Sequence, residues 1–583
     1  MPKKWQVTSP IESGAIKGVP EENRIILQLL HNRGFDDAKS INDFLNPDYD
    51  SQILDPFLFN DMAKAVERIL QAVKNNELIM IYGDYDADGV CSTAILYSAL
   101  KKLGAQVSIR IPFREGEGYG LNMTAAKEII DGGYKLVITV DCGISNKDEV
   151  AFFKDNKVEV IVTDHHKEPD ELPLGALAII NPSLKDSNYP FKKLCGAGVA
   201  FKVVQGLIKK QAEFALANKI PIGFDKWLLD LLAIATVGDI MPLIGENRIF
   251  VKYGLIVLDK TRRAGIMKIV EKVNHYSGKL DTQYIGWRLV PRINAAGRIN
   301  HASLAFELLI SENAEESDRL VKQLEDENTK RQSITASMLK EVENEIGEVK
   351  EKKLLMAIGQ NWHPGVVGLV AGRISDKYNL PAIVISQSSD QDVSAGAIKY
   401  IGSGRSVEGF DITSALNECE EYLDKFGGHP QACGFTILGQ DNLLGFKEKI
   451  SAIASRALKD LDLRKVLKIE AEIELADINW YFYHKLEKFE PFGEGNNNPL
   501  FLVKNLNIEQ VQTVGGDGQH LRAMVSQVNH PVIHKIIGFS FGDWCAKLNV
   551  GDKIDVVFEI GVNEWNGHKE LQLKVIDLRM SES

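Results

Sequence analysis

The stretch IMIYGDYDADGVCSTAILYSALKKLG, Ile79 to Gly104, sets three carboxylates, Asp84, Asp86 and Asp88, between an apolar run and a glycine. The apolar run reads as a strand ending near Gly83, and GVCSTAILYSALKKLG reads as the helix that follows it. In extended chain, residues two apart point the same way, so the three aspartates can project together from the carboxyl end of the strand. That edge is where open parallel sheets place their ligands. Like charges so close repel and raise one another's pKa unless a cation lies among them. The alternative is local, because aspartates in a turn also cap the helix that follows.

The pattern recurs along the chain. LVITVDCGIS puts Asp141 at the end of another strand, and VIVTDHHK ends a third strand in Asp164, His165 and His166. IATVGDIMPL sets Asp239 at the end of an apolar helix that breaks at Gly238 and Pro242. Carboxylates with imidazole suit Mn²⁺ or Mg²⁺, and the absence of paired thiolates argues against a dedicated zinc site. Two such cations about 3.5–4 Å apart, sharing a bridging carboxylate, would activate water for displacement at phosphorus. On this reading the crowded aspartates form a metal cage.

The rest of the chain frames that cage. At 583 residues and 44% hydrophobic content it has room for three or four domains. A net charge of −12 disfavours a uniformly basic nucleic-acid coat, though not a local basic channel. The opening MPKKWQVTSP lacks a signal-peptide core and no long apolar run follows, so a cytoplasmic protein without membrane association is expected. Six dispersed cysteines fit a reducing compartment. From Glu77 to about Pro182, β-branched runs alternate with amphipathic stretches, the signature of βαβ units and a parallel sheet. Spacing turns helical from about Gly196 to Ile256, and one long charged helix is expected from Asn313 to Val349. A second α/β pattern follows, and from about Lys465 the chain is β-rich, with about five strands that suit a small barrel such as an OB-fold.

The motifs DYDADG, VDCG, TDHH and VGDIMPL, in that order, resemble the signature motifs of the DHH phosphoesterase superfamily. NWHPGVVGLVAGRI and FGGHPQACGFTI are similar to its DHH-associated substrate-binding domain. PRINAAGRINHA, SGRSVEGFD and PFGEGNNNPLF narrow the resemblance to the bacterial single-strand-specific exonucleases of that superfamily, from roughly Trp5 to Leu578. It implies an α/β chain with an N-terminal segment (1–55), a parallel-sheet DHH catalytic domain (56–312), a connecting long helix (313–349), a smaller α/β DHH-associated domain (350–460) and an OB-like domain (461–583).

Carried onto this chain, the resemblance implies that Asp86, Asp88, Asp141, His165 and Asp239 ligate two Mn²⁺ or Mg²⁺ ions, with Asp141 bridging. Asp84 is a further candidate ligand, in the place near which some members use a histidine. Asp141, His165 and His166 would be catalytic, His166 facing the substrate phosphate. Arg114, Arg298, Ser403 and Arg405 would hold phosphates near the 5′ end, and His429 would orient the scissile region. His363 and Arg373 are lesser candidates, and Trp544 and Trp565 either stack on bases or belong to the core. The implied activity is hydrolysis of single-stranded DNA from the 5′ end to mononucleotides in repair and recombination, with a single-strand-binding protein and a RecQ-type helicase as expected partners. Phosphodiesterases of very short oligonucleotides or cyclic dinucleotides share the metal motifs but lack the β-rich tail. A non-catalytic replication scaffold would show eroded ligands, and none is missing here.

Overall fold

A computed structural model describes residues 3–12, 23–114, 116–273, 280–388, 398–528, 530–565 and 567–581. The chain divides into two compact units, one of Leu54–Met241 with Tyr253–Leu463, the other of residues 1–53, 242–252 and 464–583.

The first unit is built on two sheets. Helix α1 (Met62–Lys74) precedes β1 (Leu78–Tyr82), which runs into α2 (Ala87–Lys102), β2 (Gln106–Arg110), β3 (Leu136–Val140), α3 (Lys147–Asp155), β4 (Glu159–Thr163) and β5 (Ala178–Ile180). These five strands are all parallel, in the order β2-β1-β3-β4-β5. All five residues of β3, LVITV, are buried, as expected of a central strand covered on both faces. Because the strands are parallel, their carboxyl ends lie along one edge, and the loops carrying Asp84, Asp141 and Asp164 leave from it.

Helices α4 (Gly196–Lys210), α5 (Leu229–Gly238) and α6 (Val290–Ile299) follow. The long helix expected near Asn313 is α7 (Ala314–Ile346), whose first turn is capped by the Asn313 side chain. It leads into the second sheet, of β6 (Leu355–Gln360), β7 (Ala382–Gln387), β8 (Lys399–Arg405), β9 (Lys425–His429) and β10 (Ala432–Leu438), in the order β9-β10-β8-β7-β6. Helix α8 (Pro364–Tyr378) connects β6 to β7.

In the second unit, β11 (Phe501–Val514), β12 (His520–Gln527), β13 (His530–Gly538), β14 (Lys553–Trp565) and β15 (His568–Met580) close into a barrel, because β14 pairs with β11 as well as β15. Closure leaves no free sheet edge. The chain's first residues belong here: Lys4–Val7 pairs with Val466–Ile469, and Ile26, Leu29, Leu30 and Phe44 share a core with Phe501 and Phe558 of the barrel. Phe44 stacks on Phe35 at 4.5 Å and meets Phe489 edge-on at 5.5 Å, with the buried Arg248 guanidinium 4.0 Å from its centroid.

Truncating that ring should therefore loosen the barrel. Phe44→Ala is expected to destabilise this unit by about 3–4 kcal/mol through lost burial and the cavity left behind. Chemical unfolding followed by intrinsic fluorescence should show its transition moved to lower denaturant. An unchanged midpoint would mean that Phe44 is not part of the barrel's core.

Candidate metal centre and substrate pocket

Each aspartate after β1 is held differently. Asp84 follows the strand directly and is buried. Asp86 is the N-cap of α2, its Oδ1 accepting from the backbone N–H of Asp88 and Gly89. Asp88, in the first turn, accepts from the backbone N–H of Gly196 (2.6 Å) and Ala197 (2.8 Å), where α4 begins. A helix amino end thus steadies its charge. Gly89 is needed for close approach, since a Cβ there would lie 2.5 Å from the Asp84 carbonyl oxygen.

Asp141 leaves β3 in a left-handed conformation, φ 61°, while its N–H still bonds the Thr163 carbonyl. The carboxylate lies against Gly196, where a Cβ would come within 2.6 Å of Oδ1. His165 Nε2 sits 3.2 Å from Asp141 Oδ1, 3.7 Å from Asp239 Oδ2 and 3.8 Å from Asp88 Oδ2. Candidate ligand atoms gather in overlapping groups: Asp84 with Asp86 and Asp141, Asp88 with His165 and Asp239, and Asp141 with His165 and His166. Among the described residues, Asp84 Oδ1 and Asp141 Oδ1 are buried without a hydrogen-bond partner.

Burial, reinforced by neighbouring carboxylates, pushes Asp84 and Asp141 well above the usual carboxylate range, Asp88 to about 6 and Asp239 to about 8. His165 is driven down to about 3 by burial and by the His166 charge, so it is a neutral imidazole with a free lone pair. His166 is the reverse. Burial alone would lower it, but its Nδ1 bond to Asp164 (2.7 Å) and that carboxylate's charge raise it to about 9.

Two further residues support the site, Asp164 of the TDHH motif and Tyr119, which lies in none of the motifs. Asp164 is buried and holds both histidines from below, its Oδ1 accepting from the backbone N–H of each and its Oδ2 from Ile144 N–H. Tyr119, from the GYG segment, donates its hydroxyl to the Asp141 carbonyl (3.2 Å) and stands 3.1 Å from His166 Nδ1. Only the close approach of the Tyr119 loop to β3 reveals it.

The candidate phosphate residues come from several elements of the same unit. Arg298, on α6, donates Nη1 to the Gly365 carbonyl at the start of α8, and α6 is tied to the metal loop by Asn294, which accepts from Ala87 N–H. Arg405 Nη1 donates to Ser403 Oγ (3.1 Å) and to the Gly404 carbonyl. Arg114 lies over the Tyr85 ring. Burial and then the Arg114 charge lower Arg298 to about 9, and Arg405 adds to the effect, so these cations face one another with too few anions. Register aligns His429 with Ala432 and Ala432 with Arg405, which puts His429 and Arg405 on one face of the second sheet. His363 is the N-cap of α8, Arg373 is exposed on the same helix, and Trp544 packs partly buried against the barrel core. The Trp565 side chain lies outside the described residues.

Sequence comparison matches residues 78–236 to the DHH family, N-terminal domain, 351–456 to the DHHA1 domain and 469–577 to the RecJ OB domain. The single-stranded-DNA-specific exonuclease RecJ of Bacillus subtilis (strain 168) is 35% identical over 583 residues, 99% of this chain and 71% of that one. The chain belongs to the RecJ family. RecJ of Escherichia coli (strain K12) is 32% identical over 528 residues, 88% of this chain and 89% of that one. The structure of RecJ from Thermus thermophilus in complex with Mn²⁺ matches with a TM-score of 0.82 at 28% identity, covering 100% of this chain and 80% of that one. Its Mg²⁺ complex matches at 0.76 and 27%, covering 100% and 79%.

The site fits a hard divalent cation on its own chemistry: buried carboxylate oxygens without partners, a neutral imidazole, and no thiolate among the ligand groups. Without metal, Asp88 and Asp239 keep their protons to about pH 6 and about pH 8, whereas in the unfolded chain they ionise near the ordinary value of about 4. The unfolded state thus loses protons first at these two groups, and their contribution to metal-free stability should fall as pH rises from about 4 through about 8. A bound cation takes the protons' place, so its stabilisation should grow over the same range. Thermal unfolding in EDTA and in excess Mg²⁺, at about pH 6 and about pH 8, tests this. The rise in Tm on adding metal should be larger at the higher pH, and equal rises would show that the carboxylates are not proton-loaded without metal.

Proposed function

We propose that the chain is a single-strand-specific DNA exonuclease that enters at the 5′ end and releases 5′ mononucleotides with the help of two divalent cations. The observation that carries this reading is the pair of ligand groups meeting at Asp141 and His165, in the same unit as Arg114, Arg298, Ser403, Arg405 and His429. The names of the B. subtilis and E. coli relatives, single-stranded-DNA-specific exonucleases, support the substrate, and the Mn²⁺ and Mg²⁺ complexes of the T. thermophilus relative support the cofactor. The barrel, matched to the RecJ OB domain, favours a long strand over a dinucleotide.

Asp84, Asp86 and Asp141 would hold one cation and Asp88, His165 and Asp239 the other, and Asp141, 3.2 Å from His165 Nε2, would be shared. When bound, the ions supply an activated water and stabilise charge at the scissile phosphorus. His166, kept cationic by Asp164, donates from Nε2 to an oxygen of that phosphate, and Tyr119 fixes the ring's orientation. Arg114, Arg298, Ser403 and Arg405 bind the terminal 5′ phosphate, and the spacing between that anchor and the cations sets the product at one nucleotide. His429 orients the scissile linkage. Such an enzyme needs strands already separated, which fits work in repair and recombination in the cytoplasm beside a single-strand-binding protein and a RecQ-type helicase. No helix among the described residues is long and apolar enough to cross a membrane.

Asp141→Ala should lower turnover on single strands by about a thousandfold or more while the fold survives, because both cations would lose their shared ligand. Single-turnover kinetics on the purified, folded variant decide it, and a near-parent rate would remove Asp141 from the cage. Arg405→Ala should leave metal affinity intact but weaken the preference for 5′-phosphorylated over 5′-hydroxyl ends by about 1–3 kcal/mol, the worth of a charged hydrogen bond. Matched substrates differing only in that phosphate, with metal binding followed by calorimetry, provide the measurement. An unchanged preference would take Arg405 out of the anchor.

A further inference from the structure

The opposite edge of the parallel sheet carries a cleft of about 680 Å³ that the catalytic reading does not use. Its floor is the start of the same three strands whose far ends hold the aspartates: Glu77 precedes β1, Lys135 precedes β3, and Glu159 opens β4. Strands of five residues put this cleft about 16 Å from the metal edge.

Five cations line it, Lys64, Arg68, Lys135, Lys154 and Lys157, against two carboxylates. Both carboxylates are already engaged, since Arg68 donates Nη2 to Glu77 and Nε to Glu159. The remaining Arg68 nitrogen, Nη1, is buried without a partner among the described residues. None of the four lysines makes an ion pair among the described residues. Lys157 is held at φ 59° just past the end of α3, a place where glycine is ordinarily favoured. Val158, Leu174, Ala176 and Leu177 add apolar lining, with Leu174 81% exposed.

A surplus of positive charge in a concave site, apolar lining beside it, and a volume within the usual small-ligand range of about 300–1,000 Å³ describe a receptor for a small polyanion with an apolar part. We propose that this cleft binds a nucleoside di- or triphosphate, its phosphates on the lysines and Arg68 Nη1 and its base against Leu174 and Ala176. A strand of nucleic acid also carries phosphates, but the surplus cations here are gathered in one concavity rather than strung along a track.

Calorimetry of the full chain in EDTA, with ATP, inorganic tripolyphosphate and an oligodeoxythymidine as probes, tests the proposal. ATP should bind the parent protein, and Lys135→Glu/Lys157→Glu should weaken that binding by about tenfold or more. Arg405→Ala, which alters the terminal-phosphate anchor of the proposed catalytic cleft, should leave ATP binding unchanged, so the two sites are told apart. Tripolyphosphate should bind the parent more weakly than ATP, and Leu174→Asp should narrow that difference. Exonuclease activity and far-UV circular dichroism of the lysine and Leu174 variants, and circular dichroism alone for Arg405→Ala, report that they are folded. No ATP binding to the parent, unchanged ATP affinity in the double lysine variant, or loss of it in Arg405→Ala would overturn the assignment. Equal affinity for tripolyphosphate would overturn the place given to the base, and cleft-dependent binding of the oligonucleotide alone would make the occupant nucleic acid.

Discussion

Mutual repulsion among buried carboxylates is the constraint on which the catalytic unit turns. Asp84, Asp88 and Asp141 are buried and Asp239 is partly so, and Asp88, Asp141 and Asp239 meet around one imidazole. Removing one such charge from water is expensive, and bringing several together compounds the cost. The fold meets that cost by donating backbone N–H groups where it can, as at Asp88 and Asp86. Where it does not, at Asp84 Oδ1 and Asp141 Oδ1, only a proton or a cation can complete the balance. A site at odds with its own stability in this way is a site shaped for a ligand.

The two adjacent histidines show how environment separates identical side chains. His165 has carboxylates around its Nε2 yet is buried beside another imidazole, and it stays neutral; His166 has Asp164 bonded to its ring, and it stays charged. One is thereby fit to ligate and the other to donate. The division depends on Asp164, whose own charge is held against burial by His166.

Much of this was legible in the chain because strand ends are written locally. Apolar runs of β-branched residues closing on aspartate mark β1, β3 and β4, and the C-terminal alternation marks the barrel that closes. Less legible were contacts made at a distance. Nothing in GYG says that Tyr119 reaches the Asp141 carbonyl, and nothing in CGAG says that Gly196 must be bare to admit the Asp141 carboxylate. The same holds for the opening residues, whose core partners lie more than four hundred positions away. Periodicity reports which face is buried and is silent on what it is buried against.

The two readings of DYDADG, as helix cap and as metal cage, need not exclude each other. Asp86 caps α2 through Oδ1, accepting the N–H groups of Asp88 and Gly89, and it still stands in the ligand group of Asp84 and Asp141. A carboxylate has two oxygens and about four lone-pair directions, so one residue can end a helix and face a cation. Capping fixes the rotamer, and a fixed rotamer removes the freedom a ligand would otherwise lose on binding. The cap is therefore part of how the site is preorganised. Two residues on, Asp88 is placed by the turn that Asp86 begins and is locked by the amino end of α4. The crowding that looks costly along the sequence is what lets one strand end and one helical turn deliver three carboxylates to two neighbouring ligand groups.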